Sequence, residues 1–175
     1  MINLLRKRRS IRSYKPSPIE DENVAILKEA LLRSPSSRGF NPWEFILVDD
    51  KQTLVALSRA KQHGSEFLKN ASLGIVILGN EKRSDVWVED CSIASIIVQL
   101  TAEDLGLGSC WVQIRKRNHS DEISSEQYVQ QLLQIPSHIR VLSIIGIGYP
   151  NEKKEPVAEQ KLQFNKIYHN MFKEQ

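Results

Sequence analysis

Three arginines and a hydroxyl fall within five residues near the start of the chain, Arg8-Arg9-Ser10-Ile11-Arg12. A guanidinium is a planar fork of donors that keeps its charge, so this spacing suits an anion and in particular a phosphate. Some two dozen residues later comes Ser34-Pro35-Ser36-Ser37-Arg38-Gly39-Phe40-Asn41-Pro42-Trp43-Glu44-Phe45. Ser, Pro, Gly and Asn punctuate it and an aromatic-aliphatic run follows, the pattern of a tightly turned polar loop ahead of a buried strand. A third segment, Leu105-Gly106-Leu107-Gly108-Ser109-Cys110-Trp111, reads as a helix end with Gly106 in the left-handed C-cap conformation and a strand behind it. It lacks the strand-Gly-x-Gly-x-x-Gly-helix context of a dinucleotide fold.

Other chemistries find no residues. His63, His119, His138 and His169 have no metal-ligand spacing, and neither a His-Glu-x-x-His motif nor a nucleophile elbow occurs. Cys91 and Cys110 sit in apolar segments, where a free thiol behaves as a small hydrophobe. A net charge of +3 is too small for a nucleic-acid binder, and Arg115-Lys116-Arg117 reads as solvated surface. No apolar stretch reaches transmembrane length, and the first residues have no signal-peptide core, so the expected compartment is the cytoplasm, with no membrane partner.

These segments need elements to hold them. Helical spacing of Val24, Leu27, Ala30 and Leu31, with Glu20, Asp21 and Glu22 at the start, predicts a helix over 19–33 that Pro35 bars from continuing. Strands are expected at 45–48, 73–78, 111–114 and 141–147, and helices at 51–60, 86–105 and from a Ser124/Gln127 capping box to Leu133. The helix over 86–105 is apolar nearly all round in its second half, which predicts burial on every side and a second copy of the chain as cover. After Pro150 the chain turns polar and ends in a weakly amphipathic segment through Phe164, Ile167, Tyr168 and Phe172. At 175 residues the chain is expected to be one domain, and this alternation of elements implies an α+β three-layer α-β-α sandwich.

The Arg-x-Ser-x-Arg segment, the Pro-Ser-Ser loop ending in Pro-Trp-x-Phe and the Gly-Leu-Gly segment, in this order, resemble the nitroreductase family of flavin enzymes. The resemblance runs from Arg6 to about Pro156 and implies a mostly antiparallel sheet flanked by helices. It implies FMN as cofactor, NADH or NADPH as co-substrate, and a homodimer with two flavin sites in the interface. Arg8, Arg9, Ser10 and Arg12 are then expected at the flavin, the outer basic residue on the phosphate and the inner one near the carbonyl edge of the ring, where a fixed cation raises the potential. Pro35, Ser36 and Ser37 are expected to reach the flavin from the other subunit, with Phe40 shaping the substrate pocket. Gly108 and Ser109 are expected where backbone approaches the ring. Arg38-Gly39-Phe40-Asn41 departs from the family's Asn and Gln ahead of Pro-Trp; Asn41 is the residue placed for the pyrimidine edge and Arg38 for an extra cation. His63 falls where relatives carry an Asn for the ring, and Lys154, with Lys153 before it and Lys161 after, falls where relatives close the phosphate site. Residues 157–175 are expected as an arm on the partner subunit. The implied activity is ping-pong hydride transfer to a nitroaromatic, quinone or similar small acceptor, the flavin rather than a protein residue carrying the chemistry. A non-catalytic flavin carrier or sensor, or a relative acting on halogenated, unsaturated or flavin substrates, are the alternatives.

Overall fold

A computed structural model describes residues 1–172. The strands β1 (Trp43–Val48), β2 (Leu73–Asn80), β3 (Gly108–Gln113) and β4 (Ile139–Gly148) form one sheet in the order β1-β2-β4-β3, each neighbouring pair antiparallel. The helices are α1 (Ile2–Lys7), α2 (Asp21–Leu32), α3 (Lys51–Leu57), α4 (Trp87–Asp104) and α5 (Ser125–Leu133).

Period-2 alternation along the strands divides the core between two faces. Leu73, Ile75 and Ile77 of β2 lie with Leu27 and Leu31 of α2 and Cys91, Val98 and Ala102 of α4. Val76 and Leu78 lie with Leu54 and Leu57 of α3 and Val129 of α5. The chain is therefore the expected three-layer sandwich, and helices on both faces explain why β2 is apolar without interruption. One bulge breaks the alternation: the pairing passes from Ile77–Ser143 to Leu78–Val141, and the extra residue Leu142 joins the α2/α4 face.

Local chemistry sets the helix ends. The Ser124/Gln127 capping box is formed at α5, and the Asp50 carboxylate caps α3 by accepting the Thr53 N–H at 2.7 Å. The α3 helix stops at Leu57, short of the predicted Ala60, in a turn closed by the Ala60 N–H on the Leu57 carbonyl.

The long helix α4 is not covered on every side by its own chain. Cys91, Ala94, Val98 and Ala102 are fully buried, whereas Ile93 and Ile96 each keep 38% of their surface. Residues 157–172 leave the body with Val157, Phe164, Ile167, Met171 and Phe172 exposed. The last three residues of the expected arm, 173–175, lie outside the described residues.

Candidate functional site

The arginine cluster does not continue α1. That helix stops at Lys7, Arg8 turns extended at φ −56°, ψ 125°, and the chain runs as a ribbon beside β3. Ser10 bridges Ser109 in parallel, and the Ile11 N–H donates to the Ser109 carbonyl at 3.0 Å. The far side of the ribbon is zipped to the chain after β4: Lys15 N–H to the Tyr149 carbonyl at 2.8 Å, Asn151 N–H to the Ser13 carbonyl at 2.9 Å. Ile11 is buried at the anchor, so alternation puts Arg8, Ser10 and Arg12 on one side and Arg9 on the other.

Glu152, which no motif marks, locks the ribbon. Its carboxylate accepts the N–H groups of Arg12 at 2.5 Å and Ser13 at 3.1 Å and pairs with the Lys154 ammonium at 3.4 Å. That ammonium donates in turn to the Ser10 carbonyl at 2.6 Å. The Arg12 N–H, opposed by slight desolvation and aided by Ser13 and Lys154, holds Glu152 below the usual carboxylate range. Arg9 donates to the Glu155 carbonyl. Lys7, Arg9, Lys153 and Lys154, the carboxylates Glu103 and Glu152, and Gly106 and Gly108 surround a cavity of about 180 Å³. Pockets for whole organic ligands run about 300–1,000 Å³, so this one has room for a phosphate and not for a fused ring system. Cys110 lies buried in β3; burial pushes its thiol up, against the pull of Arg12, Ser10, Lys154 and Arg8, so it is no ready nucleophile.

The two residues expected at a close backbone approach to the ring also seat the ribbon. A Cβ on Gly108 would stand 2.8 Å from the Ile11 Cβ, so the glycine seats the ribbon. Ser109 is 2% exposed and gives its carbonyl to Ile11. Gly106, left-handed at φ +74° with open space around it, borders the cavity together with Gly108.

The loop of Pro35 to Asn41 lies at the other end of α4. Ser36 is extended, Ser37–Gly39 makes one 3₁₀ turn, and Arg38, Gly39 and Asn41 are left-handed at φ 52°, 67° and 46°. The Ser36 hydroxyl accepts the Asn41 N–H at 2.8 Å and donates its own proton to Asn41 Oδ1 at 2.7 Å. Asn41 therefore turns its NH₂ outward and offers donors, not an acceptor. The Ser37 N–H is committed to the buried Asp90 carboxylate at 2.8 Å, which leaves its hydroxyl for a ligand. Arg38 is paired with Asp85 at 2.6 Å, and its guanidinium stands 4.7 Å from the centre of the Phe40 ring. Trp43 stacks on Phe45 with centroids 5.4 Å apart, as a core aromatic does.

The structure thus brings Arg8, Arg9, Ser10, Arg12, Gly108, Ser109 and Lys154 to one end of α4 and Pro35 to Asn41 to the other. Asp90, which holds the loop, and Glu103, which borders the small cavity, are thirteen residues apart, about 20 Å along a helix. His63 is exposed in a loop joined through the Gln62 N–H to the Asn118 carbonyl. A cleft of about 820 Å³ opens beside α2, β1 and α3, with Val24, Lys28, Leu47 and Lys51 among its walls, and holds none of the expected site residues. Glu152 and Asp90 were not found from the sequence because an isolated acid has no signature of its own; a Glu beside Lys153-Lys154 was the one visible hint.

Fold and site define the class of protein: an α+β sandwich with a cationic half-site at one end of its central helix and a polar loop at the other. The chain belongs to the nitroreductase family, whose sequence profile matches residues 5–63 and 54–149. It is 35% identical over 158 residues to an Archaeoglobus fulgidus protein provisionally named NADH dehydrogenase/NAD(P)H nitroreductase, covering 88% of this chain and 87% of that one. A solved FMN-dependent nitroreductase from Clostridium difficile R20291 superimposes with a TM-score of 0.97 at 46% identity, over 98% of this chain and all of the other. The NADPH:FMN oxidoreductase of Vibrio harveyi, at 20% identity, 99% of this chain, 78% of that one and a TM-score of 0.82, shares the fold.

Proposed function

We propose that the protein is an FMN-dependent oxidoreductase that takes hydride from NADH or NADPH and reduces a nitroaromatic, quinone or similar acceptor in two alternating half-reactions. It works as a cytoplasmic homodimer with one flavin near each end of the interface. The observation that carries this reading is the separation of the two half-sites along α4. One chain cannot close both around a single ligand, whereas two α4 helices packed antiparallel about a twofold set the arginine end of each chain against the loop of the other. The uncovered Ile93 and Ile96 lie on the helix that such packing would cover, and residues 157–172 supply an exposed apolar arm to reach the second subunit.

The residues present fit FMN. A cavity sized for a phosphate is walled by Lys7, Arg9, Lys153 and Lys154, four cations against the carboxylates of Glu103 and Glu152, with Arg8 and Arg12 on the same ribbon, while the loop of the second subunit offers the Asn41 NH₂, the Ser37 hydroxyl and the Phe40 ring. When bound, the flavin supplies the two-electron chemistry, and the chain's tasks are to bind, orient and exclude water. Arg9 and Lys154 would hold the phosphate end from the cavity and Arg8 from the other side of the ribbon, Arg12 would serve the ring's carbonyl edge, and Phe40 would limit what can stack above the ring. The names carried by the Clostridium difficile and Archaeoglobus fulgidus proteins support both the cofactor and the co-substrate. No described helix is long and apolar enough to cross a membrane.

The test is an absorbance spectrum of the purified protein, mass analysis of the released cofactor, and NADH or NADPH oxidation with nitroaromatic and quinone acceptors. FMN with acceptor-dependent turnover is the expected result. FAD, or no flavin after incubation with FMN, refutes the reading; bound FMN without turnover leaves a flavin carrier.

A further inference from the structure

We infer that Asp90 is the positioning residue of the Ser36–Asn41 loop, and that through the loop it sets how the acceptor is held over the cofactor. The inference rests on the proposed function in one respect, that this loop faces the flavin. Asp90 is 2% exposed, and its carboxylate has two hydrogen-bond partners, the Ser37 N–H at 2.8 Å and the Ser84 hydroxyl at 3.2 Å. Among the described residues no cation pairs with it: Arg38, in the loop it holds, is paired with Asp85. A buried carboxylate without a cation is costly to keep, although the first turn of α4 favours a negative charge. The group does not cap its own helix: the N-cap of α4 is Val86, which has no side-chain cap. It is spent on a loop 53 residues away.

What it holds is strained. Two non-glycine residues of the loop, Arg38 and Asn41, are left-handed, a conformation that persists only where the surroundings over-determine it. Ser37–Asp90 fixes where the turn begins, and the paired bonds of Ser36 to Asn41 fix where it ends. The other tether, Arg38–Asp85, has side chains 60% and 76% exposed and holds weakly. The product of the three is an outward Asn41 NH₂ and a Phe40 ring at a set height. Misplacing such groups by about 1 Å is enough to cost roughly a hundredfold in rate.

Four variants of the full-length protein test this. Asp90→Ala removes the acceptor. Asp90→Asn restores it, Oδ1 accepting from Ser37 and Nδ2 donating to the Ser84 hydroxyl. Ser37→Pro removes the donor's N–H and hydroxyl and sets the ring Cδ against the Asp90 carboxylate, so it breaks the tether from the loop's side, and the backbone otherwise suits it: Ser37 opens the short helix and Ser36 is extended at φ −138°, ψ 156°. Ser37→Ala measures the hydroxyl alone. Asp90→Ala and Ser37→Pro are expected to lower kcat/KM for a nitroaromatic by about ten- to a hundredfold, to change the visible circular dichroism of bound FMN, and to speed hydrogen exchange at the Gly39 and Asn41 amides. Asp90→Asn is expected to match the wild type in all three, and Ser37→Ala to match it in exchange. FMN affinity is expected to fall in Asp90→Ala and Ser37→Pro, which displace the loop's own contacts, and to stay at the wild-type level in Asp90→Asn. A folded Asp90→Ala with wild-type exchange, dichroism and kcat/KM overturns the inference. So does an Asp90→Asn as impaired as Asp90→Ala; if Asp90→Ala does not fold, a Ser37→Pro that behaves as wild type overturns it too. Failure of the wild type to bind flavin refutes the functional reading instead, and the cofactor-free exchange measurement then still decides whether Asp90 holds the loop.

Discussion

Replacing Ile96 with Asp tests the shared site where it is most exposed to refutation. Ile96 retains 38% of its surface in the single chain, so the core of one subunit does not depend on all of it. Full burial of an isoleucine is worth about 1.5–3 kcal/mol, and the uncovered fraction of Ile96 therefore contributes about 1 kcal/mol per chain, doubled by twofold symmetry to about 2. Ile96→Asp forfeits that and asks two carboxylates to leave water with no cation opposite them, several kcal/mol at full burial and less at a half-exposed position. A combined loss on the order of 4 kcal/mol raises the dimer dissociation constant roughly a thousandfold. If each flavin is shared, FMN and dimerisation are linked, so FMN must tighten the wild-type dimer and must bind the variant poorly. Sedimentation velocity across a concentration series, with and without FMN, reads both effects, and far-ultraviolet dichroism confirms that the variant is folded. A wild-type monomer that holds FMN tightly, or an Ile96→Asp variant that stays dimeric with FMN bound, refutes the reasoning.

Three further outcomes are expected. Arg8→Ala should weaken FMN by about 1.5–3 kcal/mol, roughly ten- to a hundredfold, with the fold intact, as measured by flavin fluorescence titration. Gly108→Ala sets a Cβ 2.8 Å from that of Ile11, and the displaced ribbon should cost about 1–3 kcal/mol of stability in a thermal melt and weaken FMN as well. Glu152 is held below the usual carboxylate range by the Arg12 N–H. A carboxylate depressed in the folded state contributes stability above its unfolded pKa of about 4.3, and loses it as pH falls through the lower folded value. The stability difference between wild type and Glu152→Gln should therefore be constant at neutral pH and shrink below about pH 4, and a difference that does not change with pH counts against the role given to Glu152.

The sequence made the elements legible wherever the signal was local. The Ser124/Gln127 box, the uninterrupted apolar run of β2 and the long α4 each follow from residues within a few turns of one another, and the structure has them. The expectation that α4 is enclosed on all sides assumed its cover; one chain covers one face. What was not legible depends on distant contacts. Arg8 to Arg12 could equally have continued the helix before it, and only docking on Ser109 makes it a ribbon. Glu152 acts on Arg12 across 140 residues, and Asp90 on Ser37 across 53. Gly108 suggested an approach to a ligand, yet the space it leaves is filled by Ile11, a neighbour that no pattern in the segment 105–111 could disclose.

The ribbon's lodging between β3 and the chain after β4 also dictates when the site can exist. During synthesis the arginines emerge long before their seat, which is unfinished until Tyr149 to Lys154 have followed, so a loop of some 140 residues must close before the cations are aligned. Closing so long a loop is slow more than it is destabilising. On the function proposed above, cofactor capture is therefore among the last events of maturation, and a nascent chain that already has its whole sheet still lacks the aligned cations.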